Sequence, residues 1–271
     1  MALTILLLVC APYAAVAVGY AEARRRGEAP PRWARIVGPL TAALHLAALV
    51  ATGRITGRSP FQTESQALSF LAFAVAGLYV VLESTSHVAT YGGRFHLLTA
   101  VLAGASVPGL AREQFPTAAM RAPDVQFSLH VGFALLGTAA IVAGGLLAAA
   151  YLGVYRRMKR RELSPDATAG PSLSGLQRIT RDASLIGVAL LVPSIVLGRS
   201  VLERGGGSNV WTFLELGLAG VQVLLAAAAG FLWWRRPLRG PVASWLNVAA
   251  TAVAVGSLAI VHPHVTALVG G

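Results

Sequence analysis

Long apolar runs separated by short polar clusters dominate the chain, and a bilayer core about 30 Å thick takes roughly 20 helical residues to cross. The runs predict spans at about 3–21, 36–52, 67–82 and 95–110. A long fifth span opens at Phe127 and ends in a basic block reaching Arg161, and three more follow at 183–202, 210–234 and 242–261. The expected fold class is all-α: a polytopic integral membrane protein with about eight transmembrane helices, forming a single membrane domain over 1–271. Thr63-Glu64-Ser65 reads as the polar start of the third helix and Pro123-Asp124 as the cap of the fifth. Leu173, Leu176 and Ile179, three apart, predict a short amphipathic helix at the membrane surface before span six.

Composition agrees with that pattern. The chain is 55% hydrophobic and 12% charged, with mean hydropathy +0.66, and its length leaves no room for a soluble domain. Its net charge of +11 sits in short clusters between the apolar runs, so the partner it implies is the lipid bilayer and not nucleic acid. Cytoplasmic flanks of membrane spans collect Lys and Arg, and of the 22 such residues an arrangement with both termini outside puts 16 inside and 6 outside. Arg24, Arg25 and Arg26 follow the first apolar run instead of preceding it, which marks an uncleaved span and not a signal peptide. Cys10 is the single cysteine, which excludes an internal disulfide and a cysteine metal cluster. GxSxG, HExxH and P-loop motifs are absent, so no soluble-enzyme signature is present.

Six histidines carry the remaining information. On this topology His87 and His96 fall on the inner side, His45 at mid-depth, and His130, His262 and His264 on the outer side. Two distant spans thus deliver imidazoles to one level, as a haem with two axial histidines requires. His130 is expected in the first turn of its helix, where the helix dipole disfavours the imidazolium. Ala134, Gly137, Gly144 and Ala148 share its face, and they either leave a shallow surface for a flat macrocycle or admit a neighbouring helix. His262 precedes Pro263 and so marks the end of span eight; with His264 it is either a ligand or a side chain at a frayed terminus. His45 is either a hydrogen-bonded side chain or an inner haem station. Glu215, the only acid inside an apolar run, faces the outer chamber or snorkels to the surface. Zinc is a weaker alternative, since a closed site wants about four ligands and only Asp124 or Glu113 could join the histidines.

Several stretches resemble the CcsA/ResC/HemX family of cytochrome c assembly membrane proteins. Gly57-Arg58-Ser59-Pro60-Phe61 followed by Ser65 to Phe70 is similar to the family's outer loop leading into a span. Leu129-His130-Val131 at the head of a long helix resembles its first outer haem histidine, Pro171-Ser172-Leu173 with Leu176 its surface segment, and Val261-His262 its second outer histidine. The family's tryptophan-rich WGxxWxWD-like segment has no counterpart, since Gly205 to Glu215 holds Trp211 alone; this brings the chain closest to the HemX-like branch. The resemblance implies haem b held by His130 and His262 as axial ligands, with His264 in reserve and His45 matched to a membrane-embedded histidine. It also implies a bacterial inner (plasma) membrane location and other cytochrome c assembly membrane proteins as partners. The role implied is haem handling in cytochrome c-type biogenesis, as an accessory subunit of a delivery or ligation system. No nucleophile is arranged for attachment chemistry, so that step would need a partner. The competing classes are a haem-free structural or regulatory membrane subunit and a small-molecule transporter.

Overall fold

The computed structural model describes residues 2–56, 63–86, 88–112, 125–161, 172–205, 210–235 and 240–260. They form eight α-helices and one 3-10 turn at Ala89–Tyr91, and no strand occurs among them. The helices are α1 (Ala2–Arg26), α2 (Arg32–Thr56), α3 (Glu64–Thr85), α4 (Gly92–Arg112), α5 (Val125–Lys159), α6 (Leu173–Gly205), α7 (Val210–Arg235) and α8 (Gly240–Ile260). By length and composition, five described stretches are able to cross a membrane: Arg32–Arg54, Ser65–Thr85, Val125–Lys159, Leu173–Ser200 and Leu216–Arg235. Their outward faces are apolar. Ile36, Leu40 and Leu44 on α2 follow one another at four-residue spacing and are each more than half exposed, which suits a surface solvated by lipid.

Local signals set the helix ends. Thr63 caps α3 by accepting the Gln66 amide at 3.2 Å, the cap its polar start predicts. Gly27, with φ +71, ends α1 in a Schellman arrangement in which Glu28 N–H bonds to Ala23 O and Gly27 N–H to Arg24 O. In the last turns of α1, Arg25 and Arg26 each donate to Glu22 at 2.9 Å and hold its carboxyl below the usual carboxylate range. Pro12, Pro39, Pro108 and Pro193 all lie inside helices, which membrane helices tolerate. The segment expected as a separate amphipathic helix at Leu173 is instead the first part of α6, which continues unbroken to Gly205. Leu176 is fully buried and Ile179 nearly so, so tertiary packing joins the two pieces. The Pro123-Asp124 cap and the Gly57 to Phe61 motif lie outside the described residues.

The helices group into two compact units, α1–α4 and α5–α8. In the first, α1 packs on α4 and α4 on α3; a Cβ at Gly93 would sit 3.2 Å from Ala17 O, so that glycine permits the backbone approach of α4 to α1. In the second, α5 packs chiefly on α6 and α8. Gly137 and Gly187 face each other there, each with the other's carbonyl 3.0 Å from where its Cβ would stand.

Candidate functional site

His130 is held by α6. Its Nδ1 lies 2.7 Å from the Ser194 carbonyl oxygen and 3.1 Å from Ser194 Oγ, and Ser194 Oγ donates back to the His130 carbonyl at 3.0 Å. A carbonyl oxygen can only accept, so Nδ1 carries the proton and donates. In the neutral ring that leaves the Nε2 lone pair free to ligate, since the hydrogen bond at one ring nitrogen decides the role of the other. The ring rests on Gly198, where an added Cβ would come 2.5 Å from His130 Cε1. One turn N-terminal to His130, Gln126 Nε2 donates to Ser200 Oγ, so two contacts pin the head of α5 to α6. Because α5 begins at Val125, His130 stands in the second turn, not the first, and the Ser194 hydrogen bond, more than the helix dipole, fixes the proton's place.

The small-residue face below His130 is filled by protein. Gly137 abuts Leu191 and Gly187, and Gly144 abuts Ser184 and Ala183, so α6 occupies the surface on which a macrocycle could have lain. The helix-contact reading of those residues is the correct one. The other helix packed on α5 is α8, antiparallel to it: Gly240 lies on Tyr151, whereas Thr251 lies on Gly145 and donates from Oγ1 to Ile141 O at 3.1 Å. From Thr251 to Ile260 the helix advances about 13 Å at about 1.5 Å per residue. That carries its end to the second and third turns of α5, close to the level of His130. His262 and His264 lie outside the described residues, as do Glu113 and Asp124, and no group of three metal-ligating acids, cysteines or histidines occurs among the described ones.

His45 belongs to a different cluster, in the first unit. Its Nε2 shares a 2.9 Å hydrogen bond with Ser69 Oγ, and its ring centroid is 6.0 Å from that of Tyr13. Tyr13 in turn stacks on His96 at 5.9 Å, and His96 lies against Tyr79 at 5.0 Å and Tyr20 at 5.7 Å. Tyr20 donates to Glu83 Oε1 at 2.7 Å, and Arg35 pairs with the same carboxylate at 3.5 Å. All four helices contribute: Tyr13 and Tyr20 from α1, Arg35 and His45 from α2, Ser69, Tyr79 and Glu83 from α3, and His96 from α4. His45, His96 and Tyr13 are each at most 2% exposed, yet His45 Nδ1, His96 Nδ1 and the Tyr13 hydroxyl have no hydrogen-bond partner among the described residues. Each such group costs roughly 1–3 kcal/mol if it stays unpaired, a large outlay against total stabilities of about 5–15 kcal/mol.

Sequence reasoning set His96 aside on the inner side and did not single out Tyr13, Tyr20, Tyr79 or Ser69. A signal was available. Tyr13 and Tyr20 are two helical turns apart on α1, and Gln66, Ser69, Tyr79 and Glu83 fall on one face of α3. Comparison with family models, with curated proteins and with solved structures finds no match to this chain.

Proposed function

We propose that the chain is an eight-span protein of a bacterial inner membrane, both termini outside, that binds haem b at its outer face through His130. The observation that carries this reading is the donation of His130 Nδ1–H to the Ser194 carbonyl at 2.7 Å, which presents Nε2 as a ligand. Histidines that ligate metals are commonly oriented in this way. His262, two positions beyond the last described residue of α8, would be the second histidine to hold it, with His264 in reserve. Support for that pairing comes from the antiparallel packing of α8 on α5, which directs its last turn toward His130's level. Haem held there would supply an iron whose potential the two imidazoles help to set. The role that follows is accessory haem handling in cytochrome c maturation alongside other assembly proteins of the membrane. His45 is engaged with Ser69 in the first unit and is expected to matter less for haem binding than the outer pair.

A haem-free structural role has an observation of its own. The reciprocal bonds between Ser194 and His130 would equally clasp α5 to α6 with no ligand at all. The visible absorption spectrum of the purified protein separates the two readings. The haem reading expects a haem b Soret band that His130→Ala and His262→Ala each diminish or convert to a five-coordinate form, and that His87→Ala leaves intact. Protein purified from haem-replete cells without such a band, or a band unchanged in a variant lacking His130, His262 and His264, overturns it.

A further inference from the structure

The polar and aromatic residues of the first unit form a file, and nothing in the His130 site uses it. Along α3 the file occupies one face, from Gln66 through Ser69, Ala76 and Tyr79 to Glu83. At about 1.5 Å per residue this is about 26 Å of axial length, close to the thickness of a bilayer's hydrocarbon core. Ala76 is fully buried, and the space beside its small side chain is taken by Tyr13, in the same buried cluster. The gap between Ser69 and Tyr79 on α3 is therefore bridged by groups from other helices. His45, Tyr13 and His96 follow one another there, with ring centroids 5.9 to 6.0 Å apart.

The Glu83 end opens to the protein surface. Glu83 and Arg35 line an open cleft of about 350 Å³ together with Arg32, Ile36, Val80 and Ser84, while Tyr20 connects the carboxylate inward. At the other end Gln66 is 5% exposed, and its Oε1, like Thr99 Oγ1 next to His96 on α4, has no partner among the described residues. Unpaired polar atoms thus recur along the file at Gln66, His45, Tyr13, His96 and Thr99. A fully apolar core would have been simpler to build, and in a membrane interior ionisable and hydroxyl side chains in series mark ion or proton pathways. Their buried atoms call for internal water, which bridges polar groups that cannot reach one another.

We propose that α1–α4 conduct protons between the Glu83 cleft and the Gln66 end, with His96, Tyr13 and His45 as the successive carriers. An imidazole accepts a proton on one ring nitrogen and releases one from the other, and the Tyr13 hydroxyl accepts on its lone pair as it gives up its own hydrogen. Each N–H or O–H bond formed is matched by one broken, and no electrons move. A proton entering at Glu83 passes through the Tyr20 hydroxyl to His96 and is balanced by one leaving His45 through the Ser69 hydroxyl and water beside Gln66, so charge crosses the membrane and a counter-ion must follow. The groups facing the carriers are Cys10 one turn along α1 from Tyr13, Arg35 on α2, Tyr79 and Glu83 on α3, and Tyr20 on α1. The proposal rests on the chain spanning a membrane and is independent of whether His130 binds haem.

The test is proton uptake by vesicles holding the whole protein and an entrapped pH-sensitive dye, driven by a potassium gradient with valinomycin. The wild type is expected to acidify or alkalinise the lumen about tenfold or more faster than protein-free vesicles. Tyr13→Phe, which removes one oxygen, and His96→Phe are expected to return the rate to that of protein-free vesicles, as loss of a proton-transfer group does. The same preparations are scanned for a Soret band, so failure of the haem reading and failure of this one are read separately. A wild-type rate equal to that of empty vesicles overturns the proposal. So does an undiminished rate in Tyr13→Phe, whose near-unchanged shape keeps the result interpretable if His96→Phe does not fold.

Discussion

At the scale of single residues, the His130 seat divides its dependence between a backbone atom and a missing side chain. Ser194→Ala removes the hydroxyl that donates to the His130 carbonyl but leaves the carbonyl that receives Nδ1–H. The expected loss is about 0.5–1.5 kcal/mol of stability with any haem absorption retained, measured by thermal unfolding in detergent beside the visible spectrum. Gly198→Ala behaves differently, because its Cβ would meet His130 Cε1 at 2.5 Å. The ring must move, at a cost of about 1–3 kcal/mol, and the spectrum should weaken together with stability. A Gly198→Ala protein with unchanged absorption and unfolding temperature would show that His130 is not seated on that glycine. The same separation explains why the sequence revealed His130 and not its holder: a histidine is visible as a letter, whereas a carbonyl oxygen belongs to every residue.

At the scale of helices, apolar run length made the elements legible, and helix pairing remained hidden. Among the described residues the eight runs fall on eight helices, five of them carrying a stretch long and apolar enough to cross a membrane, because burial in lipid or protein demands unbroken apolar helix, a property of each segment alone. Which helix packs on which depends on small residues meeting at particular levels, and one sequence does not specify that. Depth sorting consequently put His96 apart from His45, while α1, inserted with Tyr13 between them, joins them into one cluster. The extra length of α6 is obscured by its charged second and third turns, where Arg178, Arg181 and Asp182 look like a loop; Arg181 in fact pairs with Asp182 at 2.8 Å on the helix surface. The contact of α5 with α8 is as exacting as that with α6, since a Cβ at Gly145 would collide with Thr251. Gly145→Val is therefore expected to destabilise the second unit by at least about 1–3 kcal/mol, visible as earlier loss of helical circular dichroism on heating. Gly153→Ala, where no atom lies within 4 Å, is the control expected to change little.

For the molecule as a whole, the basic clusters predict its orientation. Arg156, Arg157 and Lys159 close α5, Arg235 closes α7 beside Trp234 and Phe231, and Arg24 to Arg26 close α1. One cytoplasmic face bearing all three clusters is what positive-inside sorting would produce. Single cysteines introduced after removal of Cys10 provide the check: a cysteine at Arg160 should resist an impermeant reagent in intact cells, and one at Gly206 should react. Labelling at Arg160 from outside would reverse the topology and with it the outer placement of His130. The hydrogen bond that seats His130 has a consequence for how such proteins diverge. Its acceptor is a main-chain atom, so substitution at position 194 can accumulate over generations without disturbing the ring, provided the helix persists. Lineages that kept this seat would therefore agree at the histidine and at the bare position four residues beyond 194, and could differ at 194 itself.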